Sequence, residues 1–197
     1  MAIGLFEQLN WLTTRVKRLC CAVEQIQQSG AGSYRVYTAL LTQSGGDNEQ
    51  GISSGALTIG VTYCIVDPSG GDWTNVGAPN NNEGTCFVAT GTTPNIWDGA
   101  LSYNTGAPVV TVLENTIGNI WFSYANPGIY SVNCSNVTFN QNTYMIIGNP
   151  TWDAGIGFIQ SGFDGSVGLI ATNPDFLTGP SDCGLLINTP IEIRVYN

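Results

Sequence analysis

Histidine is missing from this chain of 197 residues. Its absence removes Ser-His-Asp and Cys-His catalysis, and with them His-ligated zinc and iron sites. Cations are nearly as scarce. Five Lys and Arg stand against 14 Asp and Glu, for a formal net charge of -9. Three of the five, Arg15, Lys17 and Arg18, fall in the first 28 residues, which leaves Arg35 and Arg194 for the remainder. Lys17 is the sole lysine, so Schiff-base or phosphate-lysine chemistry has no residue beyond that segment. An acidic body of this kind is repelled by nucleic acid and by anionic membrane. No apolar run is long enough to cross a bilayer as a helix. The basic residues follow the first apolar ones instead of preceding them, which is the wrong order for a secretory leader. Neither GxxxxGK[ST] nor a GxGxxG between strand and helix occurs. Charged residues make up only 10% of the chain, yet aromatic and β-branched residues are plentiful, so the low charge does not signal disorder. Gly, Asn, Thr and Ser supply the polar surface instead.

What the first 28 residues do contain is an unbroken heptad pattern. Leu5, Leu9, Leu12, Val16, Leu19, Val23 and Ile26 alternate in steps of four and three. Leu9, Val16 and Val23 take position a, and Leu5, Leu12, Leu19 and Ile26 take position d. Two apolar positions in seven make a narrower stripe than a helix needs to pack on its own domain. The spacing therefore predicts an N-terminal coiled-coil stalk, about 40 Å long at 1.5 Å per residue, and an oligomeric protein. Ser29-Gly30-Ala31-Gly32-Ser33 reads as a hinge, and residues 34–197 read as a separate body.

From Tyr34 the period changes from helical to two. Strands are expected at Tyr34–Leu41, Leu57–Ile65, Val109–Leu113, Asn119–Tyr124, Gly128–Cys134, Thr143–Gly148, Ile156–Gln160, Ser166–Ala171, Leu185–Asn188 and Ile191–Val195. Turn clusters such as Asp67-Pro68-Ser69-Gly70-Gly71 and Pro79-Asn80-Asn81-Asn82-Glu83-Gly84 separate them. Many short strands between such turns predict an antiparallel β-sandwich or jelly roll. The first and last strands are expected to be neighbours in one sheet, because the termini of compact domains tend to lie together. Six cysteines occur at 20, 21, 64, 86, 134 and 183 without a CxxC rhythm. Apolar strand contexts such as Thr62–Ile65 and Thr85–Val88 favour buried free thiols in a protein folded in a reducing cytosol.

Carboxylates are the enzymatic option left open, as the acid pair of a glycan depolymerase. Asp67, Asp72, Glu83, Asp98, Glu114, Asp153, Asp164, Asp175 and Asp182 are spread through turns, where acids usually shape the turn itself. Asp67, Asp72 and Glu83 offer hard oxygens for calcium but lack the DxDxDG order. The reading is of no enzyme, no cofactor and no metal. Trp73, Trp97, Trp121 and Trp152 are the aromatic candidates for sugar binding, and Trp73 and Trp97, beside turns, are the two named for glycan contact. Core or interface packing is the favoured role. Trp121 alternates with Phe122, so one of the two faces outwards.

Three segments resemble a module of virion structural proteins from tailed phages of Bacteroidota, the crAss-like group among them. They are Tyr34-Arg35-Val36-Tyr37-Thr38-Ala39-Leu40-Leu41-Thr42-Gln43-Ser44, the run from Pro108 to Trp121, and Ile191-Glu192-Ile193-Arg194-Val195-Tyr196-Asn197. The stretch Leu9 to Cys21 is similar to the N-terminal helix that accompanies this module, and residues 71–100 resemble a mobile insert. The resemblance implies a fibre or head-fibre subunit, and it implies a trimer. Val at a with Leu at d would by itself lean towards a dimer. The expected function is a short homotrimeric head fibre or decoration protein in the virion, assembled in the host cytoplasm. The alternative is a receptor- or glycan-binding tail-fibre tip that contacts host-surface glycan. Ile3 and Phe6 lie off the seam and, with Arg15, Lys17 and Arg18, are the expected capsid-docking residues.

Overall fold

The computed structural model describes residues 15, 17, 34–139, 142–148, 155–160, 167–172 and 186–196, with 155–160 and 167–172 described as backbone. The chain divides into two compact units, residues 1–34 with 197, and residues 35–196. In the first, positions 15 and 17 are helical and their side chains are exposed. The heptad residues Leu5, Leu9, Leu12, Val16, Leu19, Val23 and Ile26, and the docking residues Ile3, Phe6 and Arg18, lie outside the described residues.

The body is mainly β. Its strands are β1 (Tyr34–Thr42), β2 (Glu49–Ile52), β3 (Thr62–Asp67), β4 (Cys86–Val88), β5 (Ala100–Asn104), β6 (Val109–Asn115), β7 (Ile120–Asn126), β8 (Ile129–Cys134), β9 (Thr143–Ile147), β10 (Gly155–Gln160), β11 (Val167–Thr172) and β12 (Thr189–Tyr196). They form three four-stranded sheets, in the orders β6-β1-β12-β9, β10-β11-β8-β7 and β2-β5-β3-β4. The pairings β1–β6, β12–β9, β10–β11, β11–β8, β7–β8, β2–β5, β3–β4 and β3–β5 are all antiparallel.

Alternation places the first core between two of these sheets. Tyr37, Ala39 and Leu41 of β1 and Ile191, Ile193 and Val195 of β12 point inwards from the first sheet. Ile120 and Phe122 of β7 and Tyr130 and Val132 of β8 meet them from the second. Burying one such large apolar side chain contributes roughly 1.5–3 kcal/mol. This sharing of one core by two sheets is sandwich-like. As the sequence leads one to expect, β1 and β12 are adjacent. The end of β1 is tied to the start of β12 by the Asn188 amide, which donates to Thr42 Oγ1 at 3.1 Å, and by the Gln43 amide, which donates to Leu186 O at 2.9 Å.

The third sheet has its own core, in which Leu57, Tyr63, Ile65, Trp73, Phe87 and Leu101 pack together. Its strands all come from the stretch between β1 and β6, and residues 71–100 lie within it. Val88 of β4, a strand of the third sheet, belongs to the first core, so the two cores adjoin. The strand expected from Leu57 starts only at Thr62. Gly60, at φ +87°, turns the chain, and a Cβ there would come within 2.5 Å of Val110 O. Its amide donates to Ala89 O and its carbonyl accepts from Val110, both at 2.8 Å. Ile187 and Asn188 form a bend before β12 instead of the expected strand.

The expectation of free thiols fails for two cysteines. Cys64 and Cys86 form a disulfide, with their Cα atoms 4.1 Å apart. The β3–β4 register sets them directly opposite one another, and facing residues of an antiparallel pair approach closely enough for a bond. Cys134 is free and half-buried. Cys20, Cys21 and Cys183 lie outside the described residues.

Candidate functional site

Where the third sheet meets the second, a groove of about 540 Å³ opens to solvent. One wall is the loop from Pro79 to Cys86, and the other is formed by Asn119 and Trp121 at the start of β7 with Ser135 and Asn136 just after β8. The walls are joined. Asn119 Nδ2 donates to Cys86 O at 2.8 Å, and the Asn119 amide donates to Asn136 Oδ1 at 3.1 Å. Gly118 (φ +127°) turns the chain into β7 where a Cβ would meet the Asn136 side chain at 2.8 Å. The loop wall is braced from within. Asn80 Oδ1 accepts from the Asn82 amide at 2.9 Å and from Thr85 Oγ1 at 2.7 Å, and Cys86 carries the disulfide to β3.

Alternation along β7 decides which aromatic faces this groove. Ile120 and Phe122 turn into the first core, and Trp121 between them is half-buried. The carboxylate of Glu83, the side-chain amide of Asn82, the Nδ2 groups of Asn80 and Asn136 and the Trp121 indole N–H make no hydrogen bond among the described residues. Among the described residues Glu83 is the one charged residue of the lining.

The two tryptophans named for glycan contact fare differently. Trp73 is fully buried in the second core, with its indole N–H unpartnered among the described residues, so it presents no face to a sugar. Its place as a glycan contact is corrected, and it is the core anchor that the sequence favours. The ring of the half-buried Trp97 stands edge-on to Trp73, 6.4 Å between centroids, and its Nε1 donates to Gly55 O at 2.7 Å. Trp97 thus clips the loop before Leu57 over the core. Trp152 lies outside the described residues.

Two of the turn carboxylates, Asp72 and Asp67, are spent on hydrogen bonds within the fold. Asp72 Oδ1 accepts from the Thr74 amide (3.1 Å), Thr74 Oγ1 (2.7 Å) and Asn81 Nδ2 (3.1 Å), and Oδ2 accepts from Asn95 Nδ2 at 2.9 Å. These donors, that of Asn95 first, hold its carboxyl well below the usual carboxylate range. Asp67 Oδ1 accepts from the Ser69 amide and hydroxyl. Among the described residues no three His, Cys, Asp or Glu side chains gather as a ligand set, and no helix is long and apolar enough to cross a membrane. Asp153, Asp164, Asp175 and Asp182 lie outside the described residues.

Several apolar residues of the first sheet are exposed: Tyr144 and Ile146 of β9 and Tyr196 of β12, and, along β6, Val109, Val112 and Leu113. Leu113 is the extra residue where the β1–β6 register shifts. Glu192 and Arg194 form an ion pair on β12 beside them.

Comparison with protein-family models, with curated proteins and with solved structures finds no match for this chain.

Proposed function

We propose that the protein is a non-enzymatic virion subunit, a short homotrimeric head fibre or decoration protein of a tailed bacteriophage. The observation that carries this reading is the strict a/d seam of Leu5, Leu9, Leu12, Val16, Leu19, Val23 and Ile26. Such a seam is stable only when copies of it pack together. The exposed apolar residues of β6, β9 and β12 add support, because neighbouring copies held together by a stalk would cover them. The N-terminal segment docks on the capsid through Ile3, Phe6, Arg15, Lys17 and Arg18, the basic part of an acidic chain. The β body projects outwards with its amide- and hydroxyl-rich surface. Assembly takes place in the host cytoplasm, and the Cys64–Cys86 bond closes once the particle leaves that reducing compartment.

Two measurements test this. Sedimentation equilibrium of the full chain is expected to give three times the 20.9 kDa protomer mass, and a monomer or dimer mass overturns the trimer. Removal of residues 1–28 is expected to leave a folded body that no longer attaches to particles. Normal occupancy by the shortened chain places the anchor elsewhere.

A further inference from the structure

We propose that the groove beside Trp121 binds a neutral saccharide. A pyranose carries apolar C–H faces and a ring of hydroxyls that both donate and accept. The groove offers a partner for each. The Trp121 indole supplies the apolar platform, held by its packing against the first core. Around it, Asn82 can donate and accept, Nδ2 of Asn80 and Asn136 and Nε1 of Trp121 can donate, and Glu83 can accept. None of these groups is consumed by the fold among the described residues. The volume of about 540 Å³ falls in the range of small-molecule sites, roughly 300–1,000 Å³.

Other ligand classes fit worse. Among the described residues no Lys or Arg lines the groove, and Glu83 together with a formal net charge of -9 repels phosphates, sulfated sugars, sialic acids and uronates. Peptide binding by strand addition needs an open strand edge. β7, the edge strand of its sheet, meets the third sheet beside the groove, where the Phe122 amide donates to Thr62 Oγ1 at 3.4 Å and the side chain of Asn119, just before the strand, donates to Cys86 O. The walls are also preorganised. The Asn119 and Asn136 bonds and the Cys64–Cys86 disulfide fix them before a ligand arrives, which lowers the ordering cost of binding. This inference does not depend on where the protein sits or on its oligomeric state.

The test presents the full chain to an array of neutral oligosaccharides built from glucose, galactose, mannose and N-acetylhexosamines, beside sialylated, sulfated and uronate-bearing ones. The best-retained probe is then titrated in solution. Neutral probes are expected to be retained in preference to acidic ones. Trp121→Ala is expected to weaken binding about tenfold or more through loss of the stacking face. Asn82→Ala and Glu83→Gln, whose side chains make no hydrogen bond among the described residues, are expected to weaken it several-fold while leaving thermal melting unchanged. Trp97→Phe, outside the groove, is expected to leave affinity as it is. Should Trp121→Ala fail to fold, the Asn82 and Glu83 variants decide the matter alone. Retention of no neutral sugar, a preference for acidic sugars, or full affinity in both Asn82→Ala and Glu83→Gln overturns the proposal.

Discussion

Tyr37 places its hydroxyl in the first core with no hydrogen-bond partner among the described residues. Burial pushes its pKa above the ordinary tyrosine value, because the phenolate would be desolvated there. An orphaned buried hydroxyl costs about 1–3 kcal/mol. Tyr37→Phe keeps the ring contact with Phe122 and is expected to raise stability by about 1 kcal/mol in urea titrations. The sign for Asp72 is the reverse. Its folded pKa is depressed, so its contribution is complete above the unfolded carboxylate value, about 4, and is lost as pH falls further. Asp72→Ala is expected to lower the melting temperature at pH 7. The gap from the parent should stay flat down to about pH 5 and narrow below about pH 4, as followed by circular dichroism. A gap that widens in acid would mean that the Asp72 hydrogen bonds do not favour the ionised form.

At the scale of the elements, the disulfide closes a loop between residues 22 apart in sequence. Loops of that size correspond to about 3 kcal/mol. Reduction, or the double substitution Cys64→Ala with Cys86→Ala, is expected to lower the unfolding free energy by about that amount, and thiol titration of the unfolded chain should find two cysteines blocked until reductant is added. Both strands that carry this bond were legible in the sequence, as the apolar runs Thr62–Ile65 and Thr85–Val88. Their pairing was not, because strand register is a relation between distant segments and leaves no local pattern. β1, β7, β8 and β12 were readable for the opposite reason: each alternates buried and less buried residues against a single core. β2 and β5 escaped notice because Glu49–Ile52 and Ala100–Asn104 are short and lie in Gly- and Asn-rich surroundings. The groove was half legible. Alternation of Trp121 with Phe122 marked one aromatic as outward-facing, but nothing in the sequence brings the Asn80–Glu83 turn against it. Trp73 was named for glycan contact because it lies beside a turn, but the chain folds over it, as the favoured core role has it. A Cβ at Gly71 would overlap the Trp73 ring at 2.1 Å.

In the whole molecule, the two adjoining cores draw on the chain in different ways. The third sheet is assembled entirely from residues 49–104. The first sheet places β1 between β6 and β12, and the contact of Thr42 with Asn188 spans 146 positions. Closing so long a loop must precede any gain from the pairing, so distant contacts form late. Vectorial synthesis adds to this order. While the ribosome is still making the second half of the chain, the third sheet already has all its strands, whereas β1, with β6 available on one side, waits on its other side for β12. Until then β1 presents an unpaired, apolar edge of the kind that nascent chains lose to aggregation. Pulsed hydrogen exchange during refolding is expected to protect amides of β3, β4 and β5 before those of β1 and β12. Simultaneous protection of both sheets would mean that the body folds as one unit, with no stage at which a growing polypeptide leaves one edge of β1 bare.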